Sequence, residues 1–230
     1  MQPGTLWPGY GCSSKRGLRS ASRVTLFSLL MINTTPELAA VPAPAYTYAE
    51  FRALIMQLAA EHRTTGPEQS PGLIRYTDQN QTHLDHSYAE PLLPSLVARL
   101  ARLPQPEQWL MLGEAWCNDT AHTLPVFARL AEASAGCVTL HVLLRSEHPA
   151  LMAAFQTEGK DKIPKLIRRD AATGAELGTW GPRPVAAQVL SQQLHSDKSL
   201  HTNQIVKEMN AWYKADAGRA VQQELLVLLG

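Results

Sequence analysis

The chain has 230 residues, 45% of them hydrophobic and 18% charged, a composition expected of a globular protein in water. Its formal net charge of +1 hides an asymmetry: residues 1–36 carry Lys15, Arg16, Arg19 and Arg23 and no acid, leaving 17 basic against 20 acidic residues in the rest. A slightly acidic body argues against a sequence-independent grip on nucleic acid, and three scattered cysteines, Cys12, Cys117 and Cys137, exclude a disulfide framework or a structural zinc site.

The odd cysteine count points to a reducing, cytoplasmic setting. The opening "KRGLRSASR" followed by "VTLFSLLMI" has the outline of a signal peptide, with "VPAPA" as a cleavage site. Its apolar run is far short of the roughly 20 residues that span a bilayer, so no membrane is expected. A disordered tail and an upstream start, with Met31 the true beginning, are the other readings, and the last is favoured.

Residues 33–46, rich in Thr, Pro and Ala, read as a linker, so residues 1–46 are set aside as a tail. Thr47 and Glu50 form a capping box, ahead of Phe51, Leu54, Ile55, Leu58 and Ala59 on one helical face. Gly66-Pro67 ends this segment. A second helix over 72–88 is expected to bury Ile74, Thr77, Gln81, Leu84 and Tyr88. A third, near 91–103, closes at Pro104 and Pro106. Residues 47–104 therefore read as a helical leader.

From 105 to 196 strands alternate with helices. A strand over 109–112 precedes a helix over 119–133 with Leu124, Phe127, Leu130 and Ala131 inward. The nearly all-apolar Val138 to Leu144 reads as a strand buried on both faces. Pro149 opens a helix with Leu151, Met152 and Phe155 on its apolar side, and Gly159 ends it. Residues 165–169 and 175–180 form an antiparallel hairpin through "AATG", and a helix over 184–195 follows. The order is β-α-β-α-β-β-α. Two more helices, 203–214 and 220–229 with Gly218 between them, make a C-terminal addition over 197–230.

The chemistry centres on "EAWCNDTAHTLPVF". Cys117 lies where a strand gives way to a helix, whose N-terminus carries about half a positive charge and free N–H groups. Both favour the thiolate, the nucleophilic species. Asp119 opposes it unless turned away, and the Thr120 hydroxyl is a donor for the sulfur. A buried structural cysteine is the competing reading. On its own, Ile163-Pro164 reads as an ordinary trans proline at a strand start.

Taken together, "EAWCNDTAHTLPVFARLAE", "VTLHVLLR" and "KIPKLIRRDAATGAELGTWGPRP" resemble a thioredoxin-fold protein. The chain is similar to a bacterial thioredoxin family group with W-C-x-D in place of W-C-x-x-C, from about Tyr46 to Leu229. The resemblance implies an α/β fold, a mixed sheet flanked by helices, with extra helices at both ends. It implies Trp116 and Cys117 as the active-site tryptophan and nucleophile, Pro125 as the proline that kinks the following helix, and Ile163-Pro164 as the cis-proline dipeptide. In that fold the residue before the proline offers free backbone to an extended substrate.

The departure is Thr120, which stands where a resolving cysteine would be. Cys137 cannot substitute: about fifteen helical residues at about 1.5 Å each separate it from Cys117 by more than about 20 Å, and disulfides need Cα atoms within about 7 Å. It is expected at a strand edge. His83 and His86 lack a third converging ligand, and neither metal nor other cofactor is expected. His122 reads as an exposed helix position. Trp180 is expected to pack on the leader.

The leading expectation is single-cysteine thiol–disulfide exchange. Cys117 is catalytic, Trp116, Thr120, Ile163 and Pro164 shape the substrate site, and the partners are oxidised protein thiols or a low-molecular-weight thiol. A non-catalytic binding protein and a redox sensor are the alternatives.

Overall fold

The computed structural model describes residues 40–230, so the signal-peptide, tail and Met31-start readings, and Cys12, lie outside the described residues. The leader forms α1 (Tyr48–Ala60), α2 (Pro71–Ala89) and α3 (Pro94–Leu100). Thr47 and Glu50 cap α1 reciprocally, as their spacing predicts. The face of α2 differs from expectation. It buries Thr77, Asn80, Leu84 and Ser87 rather than Ile74, Gln81 and Tyr88. The polar members find partners there: Thr77 bonds Thr64, and Asn80 Nδ2 donates to the Ala115 carbonyl at 2.8 Å. Fixed partners across the interface outweigh the apolar pattern.

The remaining elements are β1 (Glu107–Gly113), α4 (Asn118–Ala133), β2 (Val138–Leu144), α5 (Pro149–Ala154), β3 (Lys165–Asp170), β4 (Glu176–Trp180), α6 (Val185–Ser196), α7 (Thr202–Asp216) and α8 (Arg219–Leu228). The sheet runs β2-β1-β3-β4, with β1 parallel to β2 and antiparallel to β3, and β3 antiparallel to β4. This mixed sheet flanked by helices is the expected thioredoxin-like α/β fold.

Side chains of β1 alternate between two cores. Trp109 and Met111 join α1, α3, α4 and α8, whereas Leu110 and Leu112 face Leu143, Met152, Ile163 and Ile167. Two expectations are corrected at the sheet edge. β2 is not buried along its length: it is the edge strand, and Thr139 is exposed while Leu140 and His141 are half-buried. Residues 40–46 are not a plain linker, because Tyr46 exchanges backbone hydrogen bonds with Val142 at 2.8 and 2.7 Å. Trp180 packs edge-to-face on Phe127 and donates Nε1 to Glu224 of α8. It ties the tail to a core that also takes in Phe51, Leu96 and Leu100 of the leader. No helix among the described residues is long and apolar enough to cross a membrane.

Gly181 sits where β4 ends, with φ +118°, and a Cβ there would meet the Pro164 carbonyl oxygen at 2.3 Å. Neither atom belongs to a flexible side chain. Gly181→Ala is expected to destabilise the fold by about 1–3 kcal/mol for the overlap alone and to displace the Ile163-Pro164 segment. Thermal unfolding checks the first effect and the amide chemical shifts of 163–165 the second.

Candidate functional site

Cys117 is the N-cap of α4, with φ −79° and ψ 114°, and its side chain makes no cap bond. The thiol instead donates to the Ile163 carbonyl, 3.6 Å away. The Ile163-Pro164 bond is cis. The carbonyl expected to be open to substrate is thus occupied by the resting thiol. Only 7% of Cys117 is exposed.

That burial works against the expected thiolate. It pushes the Cys117 pKa up from about 9 to about 11, with the Asp119 carboxylate acting in the same direction. Thr120 and the backbone N–H groups of residues 119 and 120 pull it down and lose. A helix N-terminus supplies only a fraction of a charge, too little to offset burial and a neighbouring carboxylate together.

Asp119 has its own partners. Its Oδ2 accepts from Arg183, through Nε at 3.1 Å and through Nη2, and its Oδ1 accepts from the Tyr213 hydroxyl at 2.7 Å. Arg183 Nη1 also donates to Ser191 Oγ at 2.7 Å. Burial and the neighbouring carboxylate raise the Tyr213 pKa and keep the phenol protonated. Arg183 and Tyr213 escape a reading of the sequence, because they lie 64 and 94 residues from Asp119. One signal for Arg183 was present: a cation between two prolines in "GPRP".

His122 is corrected from exposed to buried. Its ring stacks on Tyr213 and lies tilted against His83, both at 4.5 Å, and its Nε2 meets Asn210 Oδ1 at 3.0 Å. Burial drives its pKa down to about 3, so it is neutral and brings no charge towards Cys117. Among the described residues no group of three or more His, Cys, Asp or Glu is placed to hold a metal. Cys137 is buried in the core on the opposite face of the sheet from Cys117.

Of the expected site residues, Trp116, Cys117 and Ile163 line an open cleft of about 510 Å³, and the Arg145 guanidinium lies 5.2 Å over the Trp116 ring. Thr120 and Pro164 are buried behind that wall. Thr120 packs against Gly113, and its hydroxyl, near enough to the sulfur to favour the anion, makes no hydrogen bond of ordinary geometry. Leu73 and Tyr76 of α2 and Thr202 and Val206 of α7 close the far side.

A family model described as Thioredoxin matches residues 66–195, more than half of the chain. Among curated proteins none matches. Two solved structures are similar at 16% identity: a protein of unknown function from Pseudomonas aeruginosa, covering 80% of this chain and 96% of that one with a TM-score of 0.46, and an HIV epitope scaffold, covering 80% and 97% with a TM-score of 0.44.

Proposed function

The chain belongs to the Thioredoxin_9 family, and from that premise we propose thiol–disulfide exchange carried by Cys117 alone, in a W-C-x-D variant of the family's active site. One observation carries the reading: the Cys117 sulfur stands 3.6 Å from the Ile163 carbonyl in the wall of an open cleft. That placement joins a nucleophile to a backbone edge able to receive a substrate strand.

The cycle has two exchanges. Cys117 loses its proton to solvent through the cleft, which frees the Ile163 carbonyl. The thiolate attacks one sulfur of a disulfide; a bond forms between Cys117 Sγ and that sulfur, and the other departs as a thiolate. An external thiol, as its thiolate, then attacks the mixed disulfide at the substrate sulfur and releases Cys117 as thiolate, which takes back a proton. The substrate leaves as a new disulfide with that thiol, and a second thiol reduces it. The setting is the cytoplasm, where small thiols are abundant. Residues 105–196 form the exchange unit, and the helices at both ends shape its cleft.

A second reading, binding without turnover, is favoured by the thiol pushed up to about 11, which leaves little thiolate at neutral pH. Turnover of a small disulfide with excess small thiol decides between them, comparing wild type with Cys117→Ser. Exchange predicts loss of turnover in the variant. Equal rates would leave the binding reading alone.

A further inference from the structure

We infer that the Cys117 cleft, together with the groove it opens into between α2 and α7, binds a small thiol or disulfide bearing an anionic tail. Its sulfur chemistry rests on the exchange reading above; its recognition does not.

Two cavities carry the inference. The cleft of about 510 Å³ and a groove of about 560 Å³ meet at Tyr76 and Val206, which line both. The groove follows α2 as far as His83, ten residues beyond the Leu73 that walls the cleft. At about 1.5 Å per helical residue this is a path of about 15 Å leading away from the sulfur. Such a shape suits an elongated small molecule whose reactive end is at Cys117. A thiol that is only 7% exposed is reached more readily by a slender ligand than by the disulfide of a folded protein.

The charges select the tail. The cleft presents Arg145, together with Lys162, already paired with Glu158, and Arg183, already paired with Asp119; the groove adds Arg75 and Lys207. Outside those two ion pairs the lining keeps Arg145, Arg75 and Lys207 against Asp161, and the groove itself holds no carboxylate. Residues 37–230 as a whole have more acids than bases. The lining therefore concentrates positive charge in a net-negative body, and a concave wall focuses that field on an incoming anion. Carboxamides of Gln79, Asn203 and Asn210 supply further donors along the groove. Carboxylate and phosphate both satisfy this lining.

Calorimetric titration of the Cys117→Ser protein isolates recognition from sulfur chemistry. Glutathione offers carboxylates, coenzyme A offers phosphates, 2-mercaptoethanol is neutral and cysteamine is cationic. Saturable binding of at least one anionic thiol is expected, with none of the neutral or cationic ones, and the arm that binds tells carboxylate from phosphate. Arg75→Ala with Lys207→Ala should weaken it roughly three- to tenfold, as two exposed cations would, while leaving the melting curve unchanged. Failure of both anionic thiols to bind, or equal binding of all four, overturns the inference. Absent turnover in the wild type would instead remove the exchange reading and leave this titration standing.

Discussion

Alkylation of Cys117 is expected to quicken about tenfold for each pH unit through the neutral and alkaline range, levelling only near 11. Four pH units below that point, about one molecule in 10⁴ carries the thiolate. Burial is the larger cause and the Asp119 carboxylate the second, so Asp119→Asn should shift the whole curve to lower pH. The shift should stop short of an exposed thiol's behaviour, because the burial remains. A wild-type plateau near or below pH 9 would refute this account of the site. Stability should follow the same titration. The folded protein holds its thiol proton more tightly than the unfolded chain, so this contribution is intact below about pH 9 and is lost as pH rises through about 11.

Glu107→Ala is expected to lower stability by about 3–5 kcal/mol, the usual effect of stranding one member of a buried ion pair. Glu107 and Arg168 are 3% and 5% exposed. The guanidinium donates to the carboxylate at 2.6 and 2.9 Å, and Trp109 Nε1 donates to the same group at 2.8 Å. Arg168 also reaches the Leu228 carbonyl at 3.0 Å, tying β1, β3 and the end of α8 together. Urea unfolding with an unchanged m-value would report the loss cleanly. Replacing both partners, Glu107→Leu with Arg168→Met, should recover most of it, since neither change then leaves a buried charge alone. A single variant within about 1 kcal/mol of wild type would mean that the pair is solvated.

The fold was legible wherever its causes are local. The Thr47 and Glu50 cap, the turn at Ala171 to Gly174 and the alternation of strands with helices all follow from neighbours in the chain. What escaped depends on distant partners. The inner face of α2 was obscured because Thr77, Asn80 and Ser87 are polar, and their acceptors and donors lie on loops and on α4. His122 sits on a helix whose exposure is decided by α2 and α7. At the site, the sulfur's position was readable from the strand-to-helix junction, but its protonation was not. That depends on burial by elements from both ends of the chain and on an acid whose partners are far away in sequence.

The bond between Asp119 and Tyr213 also bears on the order of synthesis. Tyr213 follows Asp119 by 94 residues. At ribosomal speeds of about 5–20 residues per second, roughly 5–20 s pass between their additions. Throughout that interval the emerging Cys117 lacks the wall formed by α7. The nascent protein, before α7 has emerged, is therefore the form in which this thiol is most open to oxidants, and its cleft is walled only once α7 has followed.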